Sequence, residues 1–332
     1  MTVLIGTSDG VYRANTLPFK NAEQVLDAGF VTDLRTSDTA DGVFAATMSG
    51  LYHSPDNGES WTDLEVPTDS VWSVYETETE VYAGTAPAHL YRSSDRGQTW
   101  FEVKSLQEQP SRSKWTAPGD IPPRLRALGI HPTAPERLVV GIEAGKLHLS
   151  KDGGDSWAEK DDPVPDDVHH VHMISPEEFV VSTGYLGLDG MQSGGLYHTE
   201  SWGEEWSRLD TGDRPYFRKT ITHNGYLYAS AARDAPPSWG GGADAALYES
   251  ADKESLTEMT YPGGPEEVID AWAIIDGQVV AGTVFSSEKA DRSINMSTAA
   301  GSSGSVLQRT TDGEWQQVGS VPAGIHSLTF AQ

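Results

Sequence analysis

One octapeptide recurs along the chain with its chemistry intact. Ser54 to Trp61 (SPDNGESW), Ser93 to Trp100 (SSDRGQTW) and Ser150 to Trp157 (SKDGGDSW) share the pattern Ser-x-Asp-x-Gly-x-Ser/Thr-Trp, and Thr199 to Trp206 (TESWGEEW) and Thr310 to Trp315 (TTDGEW) are degraded copies. The residue types specify a hairpin connection. An Asp side chain accepts hydrogen bonds from backbone N–H groups just ahead of it, and Gly two residues later supplies the positive φ that tightens the turn. Ser or Thr then re-enters a strand. The Trp buries a large flat surface against a neighbouring sheet while its indole N–H keeps a polar partner. Five copies in 332 residues mean that one supersecondary unit is repeated.

A second signal runs with the first. A short apolar strand ending in a small residue, followed by a turn and a second strand, occurs seven times. The first strands begin at Val3, Val43, Val81, Leu138, Phe179, Leu227 and Val279. Six intervals separate Gly6 from Gly282, a mean period of about 46 residues, which is the size of a four-stranded propeller blade. Abundant Gly (34 residues) and scarce helical periodicity agree with many short strands joined by turns.

The turn pattern resembles the Asp-box, or BNR, repeat of sialidase-like β-propellers, a superfamily that also includes photosystem II assembly factor-like and sortilin-like propellers. In that family the box joins the third and fourth strands of a blade and is structural, so the resemblance implies a fold and not an activity. The expectation is all-β: residues 1–332 form a single seven-bladed β-propeller of four-stranded antiparallel blades. The first repeat starts at its second strand, so Ile325 to Phe330 at the other end of the chain is expected to supply the missing innermost strand and close the ring.

The net charge of −26 arises from 49 acidic against 23 basic residues, only nine of them Lys. Spread acid with little Lys is like the solvated surface of proteins from very salty cytoplasm, where charge maintains solubility. A phosphate backbone would meet net repulsion, so nucleic acid is not an expected partner. Cys is absent, which excludes disulfides, thiolate nucleophiles and Cys-ligated metal. Residues 1–7 (MTVLIGT) lack the regions of a signal peptide, and no apolar run approaches the length of a membrane span. A soluble, cytoplasmic, monomeric protein is expected, without membrane contact and without a cofactor.

Loop lengths single out one face. The connections 184–194, 232–246 and 284–305 and the crossover 104–123 are long, and in a propeller all four lie opposite the octapeptide turns. Aligned by hand, the innermost strands present one position per blade: Thr32, Trp72, Arg126, His170, Arg218, Asp270 and His326. Two Arg and two His in this set would form a positive focus at the mouth of the axial channel, suited to an anionic or polyhydroxy ligand or to a protein partner. The bland alternative is a water-filled channel with a polar lining.

His172 shares a strand face with His170, but two imidazoles do not fix a metal site, and no metal is expected. Trp115, Tyr185 and Trp239 would stack on a sugar face or pin their loops. The cluster Arg112, Lys114, Arg124 and Arg126 would draw an anion to the mouth, and Pro236 to Gly242 and Ser302 to Ser305 read as lids or loop tips. Sialidase chemistry resembles a package of three arginines, a Tyr/Glu nucleophile pair, an Asp acid/base and an Arg-Ile-Pro motif; no Arg-Ile-Pro occurs here. A two-carboxylate glycosidase could pair Asp270 with Asp189, Asp234 or Asp244, though nothing in the sequence selects a pair. Two readings follow: a binding or assembly scaffold using the long-loop face, or a glycan-active hydrolase using the axial pocket.

Overall fold

The computed structural model describes residues 2–36, 42–117, 121–160, 162–184, 194–209, 212–233, 243–264, 267–285 and 303–331. They form seven four-stranded antiparallel sheets, each running in sequence order from the axis to the rim. Blade one is the exception in sequence order. Its inner strand is Ile325–Ala331, which pairs with Thr2–Thr7 so that Val3 faces Phe330 and Ile5 faces Leu328; Gly10–Ala14 and Glu23–Leu26 complete the sheet. The inner strands of blades two to seven are Val31–Thr36, Val71–Glu76, Arg124–His131, Val168–Met173, Tyr216–His223 and Glu267–Ile275. The closure expected from the termini is therefore present.

Second strands read as continuous apolar runs because each is covered on both faces by its neighbours. All five residues of Val43–Thr47 and of Val81–Thr85 are buried. Leu4 and Val11 of blade one pack with Val31, Leu34, Val43 and Ala45 of blade two, so the core lies between blades. The small residue in these strands has a steric cause. A Cβ on Gly141 would lie 2.2 Å from Val168 Cγ1, and one on Gly282 would lie 2.4 Å from Ile325 Cγ2. Each glycine thus accepts a large apolar residue from the inner strand of the next blade.

The octapeptide turns connect the third and fourth strands. In the turn at Ser54, the Gly58 N–H donates to Ser54 Oγ (2.7 Å) and the Ser60 N–H to Asp56 Oδ1 (2.8 Å). The turns at Ser93 and Ser150 repeat these bonds. Trp100 Nε1 donates to Leu64 O of the preceding blade (2.8 Å), whereas Trp61 and Trp315 Nε1 find no acceptor among the described residues. A sixth turn of this kind, absent from the sequence reading, stands at Ser250. There Asp252 accepts from the N–H groups of Glu254 and Ser255 (2.9 Å each), and Lys253 takes the left-handed conformation with φ 56°. It lacks both the Gly and the Trp of the motif. Among the described residues no helix is long and apolar enough to cross a membrane.

The candidate site at the channel mouth

Every inner strand carries a bulge near its start, and the bulged residues form one ring. The pairing skips Thr32, Trp72, Arg126, His169, Asp270 and His326, and in blade six it skips Arg218 with Lys219. Six of these seven positions match the hand alignment. The exception is blade five, where His169 occupies the ring and His170 lies one residue deeper, level with Lys219 and Asp33. The cause is the apolar residue that fits over the neighbouring small residue: Val168 precedes His169 as Leu125 precedes Arg126 and Ile325 precedes His326.

The mouth is held by charge pairs between blades. Arg218 donates two hydrogen bonds to Asp270, Nε to Oδ1 (2.6 Å) and Nη2 to Oδ2 (2.8 Å), and His326 Nδ1 lies 2.7 Å from Oδ2. Burial opposes a charge on Asp270, but the Arg218 guanidinium and these bonds overcome it and hold the carboxyl well below its usual range. Across the ring, Arg124 Nη1 donates to Glu143 Oε2 (3.1 Å) while its guanidinium covers the Trp72 ring at 4.4 Å. Arg126 is held more loosely, 3.6 Å from the same oxygen, and makes no hydrogen bond among the described residues. Glu143 is also opposed by burial, and Arg126 and Arg124 bring its pKa down to about 2.

Below the mouth the channel is crossed by a side chain. Lys219 extends from blade six to the carbonyl oxygens of His326 in blade one (2.9 Å) and Thr32 in blade two (3.5 Å), with no carboxylate in ion-pair range among the described residues. Burial lowers its pKa. His170, one of the two histidines assigned to the positive focus, is neutral, and so is His172 beside it. His170 Nδ1 accepts from the Thr220 N–H (3.4 Å) and His172 Nε2 from the Thr222 N–H (3.1 Å). Burial drives His170 well below 6.5, and it brings His172 to about 4 with help from Arg35. The cationic groups here with no hydrogen-bonded carboxylate among the described residues are Arg126 and Lys219, together with Arg35, which sits 4.1 Å above the Tyr75 ring.

Other expected residues are structural. Trp115 is buried, donates Nε1 to Ser111 Oγ (2.8 Å) and packs on the blade-four core, so it pins its loop; Arg112 stacks on it at 4.9 Å. Asp244 is bound by Arg214 and Arg233. Gly304 and Ser305 belong to the strand Gly304–Arg309 and are not a loop tip. Tyr185, Asp189, Asp234 and residues 236–242 with Trp239 lie outside the described residues. The sequence reading missed Glu143 and did not select Asp167 and His169 from the run Asp167 to His172; the ligand atoms of the three lie within 4.8 Å of one another. A second such group is Glu178, His198 and Glu200, of which Glu178 is already paired with Lys253 (3.0 Å).

The ring of four-stranded blades is a fold shared with solved structures. The WD40 repeats of RRP9 match with TM-score 0.60 and 12% identity over 99% of this chain and 89% of theirs. The GH74 xyloglucanase from Xanthomonas campestris matches with 0.59 and 15% over 96% of this chain and 46% of its own. YCF48 from Cyanidioschyzon merolae matches with 0.57 and 13% over 86% and 84%. The chain spans 38% and 46% of two GH74 enzymes that it matches, less than half of either. At such identities the likeness is one of fold. No protein-family model matches the chain, and no curated protein matches it. The protein is a seven-bladed β-propeller, a fold it shares with GH74 enzymes, YCF48 and WD40 repeats.

Proposed function

We propose that this propeller is a binding or assembly scaffold whose long-loop face receives a carboxylate, free or on a partner protein, at the mouth of the axial channel. One observation carries the reading: Lys219 presents an ammonium group inside the channel without a carboxylate partner among the described residues, beneath the loosely held Arg126. A carboxylate between them would exchange a carbonyl contact for charge-assisted hydrogen bonds. The carboxylates already present do not favour hydrolysis. A glycosidase needs one carboxyl kept protonated, and Asp270 and Glu143 are both held in the ionised form. Kinship with the Asp-box propellers, a monomeric cytoplasmic protein and a surface suited to high salt belong to the same reading. The turn chemistry supports the kinship, and the charge of −26 supports the high-salt surface.

Calorimetry with mono- and dicarboxylates and with acidic peptides tests it. Binding should be saturable in the wild type and weaken about tenfold or more in Arg126→Ala and Lys219→Met, the loss expected for one charge-assisted bond. Wild-type affinity in both variants would remove the mouth as the site. Hydrolysis of aryl glycosides that disappears in Asp270→Asn would establish the enzyme reading instead.

A further inference from the structure

The wall behind the mouth holds a group of acceptors in which the carboxylate of Asp167 lacks a donor. Asp167 and His169 belong to the start of blade five, and Glu143 ends the second strand of blade four, joined to Asp167 by an isolated β-bridge. All three are buried, and Asp167 and its side-chain oxygens have no exposure to solvent. His169 Nδ1 donates to the Phe217 carbonyl at 2.6 Å. That bond fixes the tautomer and leaves the Nε2 lone pair directed at the carboxylates. Nε2 lies 3.2 Å from Asp167 Oδ1, yet neither Asp167 oxygen accepts a hydrogen bond among the described residues.

A buried, ionised and unpaired carboxylate is too costly to persist without a positive neighbour. Arg124 and Arg126 reach Glu143 but do not come within ion-pair distance of Asp167. Three acceptors that converge require either a proton, on Nε2 or on a carboxyl oxygen, or a cation among them. Two ligands about 2.0–2.2 Å from a common ion stand roughly 3–3.5 Å apart, which is the separation of Oδ1 and Nε2. Gly184 leaves room for them: a Cβ there would lie 2.2 Å from Asp167 Oδ2 and 2.6 Å from His169 Nε2.

We propose that Asp167, His169 and Glu143 bind one divalent cation of the zinc or manganese class, which ties blade four to blade five behind the mouth. One imidazole with two carboxylates is a donor set that suits these ions better than Ca²⁺ or Cu⁺. The Nδ1 bond to Phe217 is the outer-shell contact such a ligand needs. The site adjoins the carboxylate site, because Glu143 also lies 3.6 Å from Arg126, but metal titration and carboxylate titration read the two separately.

The test uses the full chain, stripped with a chelator and titrated with ZnCl₂ and with MnCl₂. One equivalent of at least one ion should bind, and the melting temperature should rise with metal concentration. In Asp167→Asn, which keeps the shape, and in His169→Gln, affinity should fall by more than the roughly 10–100-fold expected for an outer-shell partner. Glu178→Gln, in the other acidic cluster, should leave stoichiometry unchanged. Should a variant fail to fold, elemental analysis of the untreated wild type decides, with one bound ion per chain expected. The proposal is overturned if the wild type binds neither ion. It is likewise overturned if Asp167→Asn binds as the wild type does, or if histidine nitrogen shifts show His169 protonated on both nitrogens in the presence of metal.

Discussion

Arg218 stands on the channel wall, where a water-facing side chain would be removable at little cost, but its two bonds to Asp270 change that expectation. Truncating it leaves a buried carboxylate held only by His326. Removing one partner of a buried pair typically costs about 3–5 kcal/mol, so Arg218→Ala should lower stability by that order in denaturant unfolding. A loss under about 1 kcal/mol would show that water replaces the guanidinium and that the channel is open.

The same pair makes stability depend on pH. Asp270 has its pKa lowered by folding, so its contribution is complete above the usual carboxylate range and is lost as pH falls through the folded value. Asp56 and Asp95 behave alike, each held at about 2, chiefly by the hydroxyls of Ser60 and Thr99. Melting temperature should therefore fall steeply between about pH 4 and pH 2. Asp270→Asn should be less stable than wild type at pH 7 and converge on it in acid. A constant gap at all pH values would show that Asp270 is not ionised in the folded protein.

At the scale of the element, the bulge and the turn explain what could be read from the sequence and what could not. Strand existence followed from apolar runs ending in small residues, and those residues are small because Val31, Leu125, Val168 and Ile325 pack on them. The mouth was readable to the same extent. His170 was misplaced by one residue because two adjacent histidines offered equal polarity, whereas the apolar residue just before the bulge, Val168, marks the register. Glu143 and Asp167 were hidden for another reason: they meet across a bridge between blades, and no spacing along the chain encodes that contact. The turn at Ser250 escaped notice because it lacks the Gly and the Trp of the motif, although Lys253 takes the same left-handed conformation as Asn57 and Arg96 at the equivalent position.

The turn makes its own prediction. Gly97 has φ 86°, and a Cβ there would lie 2.7 Å from Leu64 Cδ1 of the preceding blade. Gly225 has φ 82° but meets nothing within 4 Å. Alanine at Gly97 should cost about 1–3 kcal/mol, and alanine at Gly225 distinctly less, as measured by chemical denaturation. Equal losses would mean that the turn is not pressed against its neighbour.

For the whole molecule, a ring with a charge of −26 must hold together against its own repulsion. Added KCl screens that repulsion within a Debye length, about 10 Å at 0.1 M and 3 Å at 1 M. The melting temperature should rise between dilute buffer and molar salt. A flat response would show that the acid is locally compensated and imposes no global strain.

The binding role of the mouth is tested most directly by mapping where a carboxylate ligand acts on the ring. In amide chemical-shift titration with the tightest carboxylate, the account predicts that the largest shifts fall on the inner strands at residues 31–33, 71–73, 124–127, 217–219 and 325–327. The octapeptide turns at residues 54–61, 93–100 and 150–157 on the opposite face should stay unchanged. Shifts concentrated on those turns, or spread evenly over the rim, would contradict it.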